Sequence, residues 1–273
     1  MTYFGFLGLF VVLPSVVLGL WHVIDRRRGK TLAHSISGWP VWGAIGLHML
    51  IALVYTTPWD NYLVATRVWW YDINLVTGIT IGWVPIEEYT FFLLQPILTG
   101  LWLFTILRYL PVSSEKLVSG PWVRVIPLVL VGALWVLSAL MLLDGAWRYD
   151  TYLGLELVWA LPPIMLQLAF GADILWKHRR AVLLAIVSAT LFLASADSLA
   201  IQSGTWTIDP EQSLPILLGG VLPVEEFVFF LLTNILLVFG MTLVMAQESH
   251  QRVPRIVRKR LPFIVNRRML AVD

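Results

Sequence analysis

The sequence predicts an all-α membrane protein with seven transmembrane helices, in which spans one to three and spans five to seven form tandem parallel repeats joined by a connector helix. Three observations predict it. Of 273 residues, 58% are hydrophobic and 13% charged, with a mean hydropathy of +0.79; a soluble domain carries roughly 25% charged residues. The apolar residues gather into seven runs long enough to cross a bilayer core of about 30 Å as helices. One motif also occurs twice, at the same end of two of those runs.

The runs lie near Tyr3–Ile24, Trp39–Thr57, Pro85–Leu107, Val123–Leu143, Leu153–Trp176, Ala181–Gln202 and Leu214–Met245. Helices are required because lipid cannot satisfy a free backbone amide. The first run lacks a basic leader and a small-residue cleavage site, so it reads as a retained span and not a signal peptide. Basic residues follow spans one (Arg26, Arg27, Arg28, Lys30), three (Arg108, Lys116, Arg124), five (Lys177, His178, Arg179, Arg180) and seven (Arg252, Arg255, Arg258, Lys259, Arg260, Arg267, Arg268). With seven spans these all fall on one face, which the positive-inside rule makes cytoplasmic, placing the N-terminus outside and the C-terminus inside. The expected location is a prokaryotic cell membrane. The chain divides into a first repeat (1–110), a connector with the fourth span (111–150), a second repeat (151–246) and a basic cytoplasmic tail (247–273). Arginines in such a tail pair with anionic headgroups at about 1 kcal/mol each. Asp173 and Lys177, at i and i+4, are expected to form a local ion pair.

Composition closes off several functions. Without cysteine there are no disulfides, thiolate metal sites or cysteine nucleophiles. No Gly-x-Gly-x-x-Gly or P-loop run occurs, so no flavin, nicotinamide or nucleotide fingerprint is legible. The net charge of +2, with basic residues confined to helix ends, excludes nucleic acid as a partner.

The repeated motif is the informative feature. Span three opens with Pro85, Glu87, Glu88, Tyr89, Phe91 and Phe92, and span seven with Pro223, Glu225, Glu226, Phe227, Phe229 and Phe230. Asp60 matches Asp197, one residue out of register, and Trp69-Trp70 has a looser counterpart in Trp206. Four spans separate the copies, so both point the same way through the membrane. The acids then collect at the outer ends of their helices, at one depth. Adjacent glutamates point about 100° apart on a helix, setting Glu87 over Phe91, Glu88 over Phe92, Glu225 over Phe229 and Glu226 over Phe230.

Proline followed by two acids is also an ordinary helix start, since the missing N–H costs nothing there and negative charge suits the N-terminal dipole. Two copies at the same spacing, each leading into an uncharged apolar run, favour function, because a stranded intramembrane acid costs at least about 2.5 kcal/mol. Apolar surroundings and a like charge let a carboxyl pair share one proton at neutral pH, one member acid and the other base. Such a pair can protonate an alkene and later deprotonate the carbocation, with aromatic faces stabilising the passing charge. The same residues also suit a proton-coupled transporter.

Pro58-Trp59-Asp60-Asn61-Tyr62, Val68-Trp69-Trp70-Tyr71, the Pro85–Phe92 motif and Leu222–Phe227 resemble the lycopene cyclases of the heterodimeric type in their fused, single-chain form, related to the cyclase domain of fungal bifunctional lycopene cyclase–phytoene synthases. The resemblance implies an isomerase (an intramolecular lyase) that converts the linear ψ-ends of lycopene to β-ionone rings, through γ-carotene to β-carotene, without flavin, nicotinamide or metal. It implies Glu87, Glu88, Glu225 and Glu226 as the acid/base set, with Asp60, Asn61 and Asp197 orienting them. Phe91, Phe92, Phe229, Phe230, Trp69, Trp70 and Trp206 would bind substrate. Ser198 stands where a strict repeat would place a second Asn61, so the halves are not equivalent. Implied partners are the carotenoid and the bilayer; association with other carotenoid enzymes or a homo-oligomer stays open, as do ε- or γ-rings and another carotenoid or isoprenoid substrate.

Other residues weigh less. His48 is expected to be hydrogen-bonded packing, His22 lies far from the acids, Glu156 is placed to pair with Arg148, and Arg67 either neutralises a carboxylate or faces water. Tyr71 joins the tryptophans as candidate lining or as interface belt. Residues Thr57–Val84 are too long for structureless chain and are expected to include a short interfacial helix or lid over the acids. A transporter would need midplane acids and broken helices. A retinal protein would need a lysine inside the last span, and none is there. A metal-dependent prenyltransferase would need richer Asp motifs.

Overall fold

The computed structural model describes residues 1–110, 117, 120–144 and 149–253. Seven helices in it are long and apolar enough to cross a membrane: α1 (Tyr3–Arg27), α2 (Val41–Ala65), α3 (Ile86–Tyr109), α4 (Trp122–Asp144), α5 (Thr151–Lys177), α6 (Arg179–Gln202) and α7 (Val224–Met245). A short α8 (Gln247–Arg252) follows. The protein is an integral membrane protein.

Local chemistry sets the helix ends. The Thr2 hydroxyl accepts the Gly5 amide at 3.2 Å and caps α1. From Leu7 to Val12 this helix widens to a π-helical turn, which gives way to α-helix just before Pro14, whose missing N–H interrupts the regular ladder. The second helix does not stop at Thr57 as the sequence suggests. It continues through Pro58 to Ala65, with the Thr57 hydroxyl on the Leu53 carbonyl (2.5 Å) and the Asn61 amide on the Thr57 carbonyl (2.9 Å).

The expected interfacial helix over Thr57–Val84 is therefore absent: its first part belongs to α2. The rest forms β1 (Trp69–Tyr71) and a hairpin of β2 (Thr80–Ile81) and β3 (Val84–Pro85). In the same way residues from Leu214 onward are not the start of the seventh span. They hold a second hairpin, β5 (Leu217–Leu218) with β6 (Leu222–Pro223), turned at Gly219 and Gly220, both at positive φ. Between these comes β4 (Trp206–Ile208), antiparallel to β1 with Trp69 opposite Ile208 and Tyr71 opposite Trp206. This pairing ties the two loops together over the helix ends.

The helices α3 and α7 form the centre: 67% and 61% of their apolar windows are buried, against 6% for α4, which packs along α5 with its other sides exposed. A polar layer crosses this centre. Gln95 donates to Thr233 (2.9 Å), Thr99 to Asn234 (2.9 Å), and Asn234 to Thr190 on α6 (3.3 Å).

At the opposite end from the hairpins, Asp25 takes Arg108 (3.0 Å) and Tyr109 (2.7 Å). The local Asp173–Lys177 pair is not formed: Asp173 receives the guanidinium groups of Arg124 and Arg252, while Lys177 reaches Glu248 at 2.6 Å. Planar guanidinium forks match a carboxylate better than an ammonium does. Lys116, Arg148 and the basic residues beyond Val253 lie outside the described residues, and with them the expected Glu156–Arg148 pair.

Candidate active site

Each acidic pair begins a helix, and its two members face different ways. The Glu87 carboxylate accepts the Thr77 amide at 2.6 Å; Glu225 accepts the Leu214 amide at 2.6 Å. Each thus anchors the loop leading into its own helix. The helical turn of about 100° per residue carries Glu88 and Glu226 to the inside. Asn61 holds the first hairpin, its Oδ1 accepting the Trp83 amide (2.8 Å) and its Nδ2 donating to the Tyr89 hydroxyl (2.9 Å).

Glu88 and Glu226 meet Asp60 and Asp197 around a cavity of about 50 Å³. Its wall also carries Tyr3, Phe6, Trp59, Trp69, Tyr71, Phe91, Phe92, Tyr152, Trp206, Ile208, Phe229 and Phe230, and among the described residues no lysine, arginine or histidine. Tyr3 and Tyr71 (3.0 Å) both donate to Glu88 Oε2, Tyr152 donates to Glu226 Oε1 (2.8 Å), and the Trp206 indole donates to Asp197 Oδ1 (3.0 Å). Burial, then the nearby Glu88, Asp60 and Tyr3 groups, push the Tyr71 hydroxyl well above its ordinary range, so it remains an O–H donor. The rings interlock: Trp59 stacks on Phe229 (centroids 5.9 Å, 4° between planes), and Phe91 meets Phe230 edge to face at 6.2 Å. The arrangement offers exchangeable protons beside π-faces, with no cation among the described residues of the wall to neutralise an acid.

Of the residues singled out from sequence, the cavity gathers Asp60, Glu88, Asp197, Glu226, Phe91, Phe92, Phe229, Phe230, Trp69, Tyr71 and Trp206. Glu87, Glu225, Asn61 and Trp70 lie outside its wall; Trp70 is exposed. Arg67 faces water, and His48 is packed with Nδ1 on the Ala44 carbonyl at 2.8 Å. Sequence reasoning missed Tyr3, Phe6, Trp59, Tyr152 and Ile208. A signal for two of them was present: Thr2-Tyr3-Phe4-Gly5 at the head of the first span echoes Thr151-Tyr152-Leu153-Gly154 at the head of the fifth.

Below the cavity three of the helices that wall it, α1, α3 and α6, enclose an apolar groove of about 450 Å³, lined by Leu13, Pro14, Val17, Leu18, Leu98, Thr99, Trp102, Ser188, Ala189, Phe192 and Leu193. Leu98 stands seven residues beyond Phe91 on α3, about 10 Å along the helix. The groove is floored by the Trp102 indole, which donates to Ser188 at 2.7 Å.

Comparison with known proteins gives concordant results. The chain is 35% identical over 246 residues to lycopene beta-cyclase of Halobacterium salinarum, covering 89% of this chain and 95% of that protein. It is 31% identical over 246 residues to the bifunctional lycopene cyclase/phytoene synthase of Aspergillus oryzae, covering 83% of this chain and 40% of the fungal one. It is 38% identical over 201 residues to the protein of the same name from Colletotrichum graminicola, covering 70% and 33%. No family model matches the chain, and no solved structure does.

Proposed function

The chain belongs to the lycopene cyclase family, and we propose that it cyclises the linear ends of lycopene to β-ionone rings at the cavity bounded by Asp60, Glu88, Asp197 and Glu226. One observation carries this reading: four carboxyls and a shell of aromatic faces share one cavity, with no basic side chain in its wall among the described residues.

The chemistry balances within the cavity. A carboxylic O–H breaks as its proton joins the terminal double bond, whose π pair forms the new C–H bond. The resulting C1 cation takes the π pair of a neighbouring double bond, closing the ring. A carboxylate then removes a ring proton, and the freed C–H pair becomes the new double bond. The product is an isomer, so neither an oxidant nor a reductant is consumed and no flavin or nicotinamide is needed. Trp59, Phe91, Phe229 and Phe230 offer π-faces to the passing cation. Tyr3, Tyr71, Tyr152 and Trp206 hold the acids in place; Glu87, Glu225 and Asn61 hold the loops that carry them.

The apolar groove supports sideways entry from the bilayer, with the polyene along α1, α3 and α6 and one end at the acids. At about 50 Å³ the cavity as it stands has room for ordered water and not for a chain end. Admission displaces side chains, and α1, which carries Tyr3 and Phe6 above a π-helical turn, is the element best suited to move. The matched anchoring bonds of Glu87 and Glu225 support two three-helix repeats (1–110 and 151–246) on either side of the connector 111–150. The basic helix ends support a cytoplasmic C-terminus with the acids towards the outer face of a prokaryotic cell membrane.

The test is pigment analysis of lycopene-accumulating cells that express this chain alone, beside Glu88→Gln and Glu226→Gln. Cyclised carotene from the parent and lycopene from the variants supports the reading; unchanged lycopene from a membrane-inserted parent overturns it.

A further inference from the structure

The two halves of the cavity differ in a way that separates acid from base. On the first side Glu88 accepts two phenolic hydroxyls, Tyr3 and Tyr71. On the second side Glu226 accepts one, Tyr152, and the residue equivalent to Tyr71 when Trp69-Trp70-Tyr71 is aligned with Trp206-Thr207-Ile208 is Ile208, which has no side-chain donor. The second side has instead a third carboxyl. Glu156 lies one helical turn after Tyr152 on α5, is fully buried, and has no hydrogen bond to either carboxylate oxygen among the described residues. Among the described residues, the polar groups that act on it are Glu226, Glu225 and the Tyr152 hydroxyl. In the Thr-Tyr-x-Gly register of the first span its place is taken by Leu7, also buried.

We propose that Glu156 is a positioning residue that makes Glu226 the proton donor of the cavity and leaves Glu88 the acceptor. This rests on the cyclase reading and deepens it. O–H donors aimed at a carboxyl suit its ionised, proton-accepting form, and Glu88 has two of them. Glu225, Glu226 and Glu156 sit together on the second side with one phenolic hydroxyl, Tyr152, on Glu226, so the cluster holds protons between its members, and of these three only Glu226 lines the cavity. Tyr152 stands beside both Glu226 and Glu156, so after Glu226 has given its proton to the alkene, a proton from Glu156 restores it through the phenol. Later proton exchange between Glu88 and the second side closes the cycle.

The experiment compares the parent with Glu156→Gln, Glu156→Leu and Tyr71→Phe in isolated membranes, with amounts matched by immunoblot. Lycopene loss is followed in H₂O and D₂O, together with the ring type of the product. Weakening the donor side slows protonation. Glu156→Gln is expected to reduce the rate about tenfold, less than the roughly 10²–10⁴-fold for loss of a general acid itself, with a larger solvent isotope effect and unchanged ring type. Tyr71→Phe acts on the acceptor and is expected to alter the proportions of ring types without enlarging the isotope effect. Should Glu156→Leu fail to insert, the isosteric glutamine variant decides. An unchanged rate and isotope effect in Glu156→Gln, or a change of ring type from it, overturns the assignment while leaving the cyclase reading intact. A parent that leaves lycopene unchanged overturns both.

Discussion

The Glu87 carboxylate closes on the Thr77 backbone amide at 2.6 Å, while its neighbour Glu88 faces the cavity. Adjacent acids in one motif thus have different work, and substitution separates them. Glu87→Ala strands the Thr77 amide, and Glu225→Ala the Leu214 amide, each costing about 1–3 kcal/mol. These variants are expected to unfold at lower temperature in detergent and to keep activity in proportion to the folded fraction. Glu88→Gln and Glu226→Gln are expected to keep their unfolding temperature and to lose activity by about 10²–10⁴-fold. Thermal unfolding and cyclisation measured on the same preparations check the contrast.

A second prediction concerns the hairpin over α2. Gly82 has φ of +68°, and a Cβ there would stand 2.2 Å from Asn61 Oδ1, the atom that accepts the Trp83 amide. Gly82→Ala therefore meets backbone strain and a clash with the residue that pins the turn, at about 1–3 kcal/mol. At Gly78, also at positive φ (+76°), a Cβ would meet nothing within 4 Å, so Gly78→Ala carries the backbone term alone. The expected order of unfolding temperatures is parent, Gly78→Ala, Gly82→Ala.

Much of this was legible in the residues, and what was not has identifiable causes. The seven spans stand out because lipid demands long apolar helices. Their ends are less clear, because helix and hairpin use the same apolar residues beside a membrane. Leu214–Leu218 is apolar enough to read as helix, and the Gly219-Gly220 turn after it marks the hairpin. Pro58 suggests an end where the helix continues. The acids were visible as a doubled motif, but which of each pair turns inward depends on where the loops cross, and that is set by the pairing of β1 with β4. Tyr3 and Tyr152 escaped because a tyrosine near a membrane surface is ordinarily belt; only the Thr-Tyr-x-Gly echo marks them.

His178 gives a pH prediction outside the membrane-spanning helices. It sits in the turn between α5 and α6, and burial, helped by the Lys177 charge and opposed by Glu248, holds its imidazole below the usual value near 6.5. Below that pH the unfolded chain binds a proton that the folded protein does not, so stability falls as pH drops through about 6.5 and is fully present above it. Unfolding temperature is expected to be lower at pH 5.5 than at 7.5, with a smaller difference in His178→Gln.

The groove beneath the cavity makes the last prediction, because its position on α1, α3 and α6 separates binding from chemistry. Ala189 lies on its wall, buried, eight residues and about 12 Å along α6 from Asp197, the nearest of the four acids in sequence. Phenylalanine there fills part of the 450 Å³ space, about two helical turns from the nearest acid on its own helix. If the polyene lies in this groove, Ala189→Phe raises the apparent KM for lycopene roughly tenfold, since one or two CH₂-sized contacts at about 0.8 kcal/mol each amount to that factor. The solvent isotope effect and the ring type then remain those of the parent, as the proton-transfer steps are unaltered. If the polyene runs elsewhere and the groove merely holds acyl chains, KM in detergent micelles is unchanged by the substitution. Cyclisation rates over a range of lycopene concentrations in mixed micelles distinguish the two.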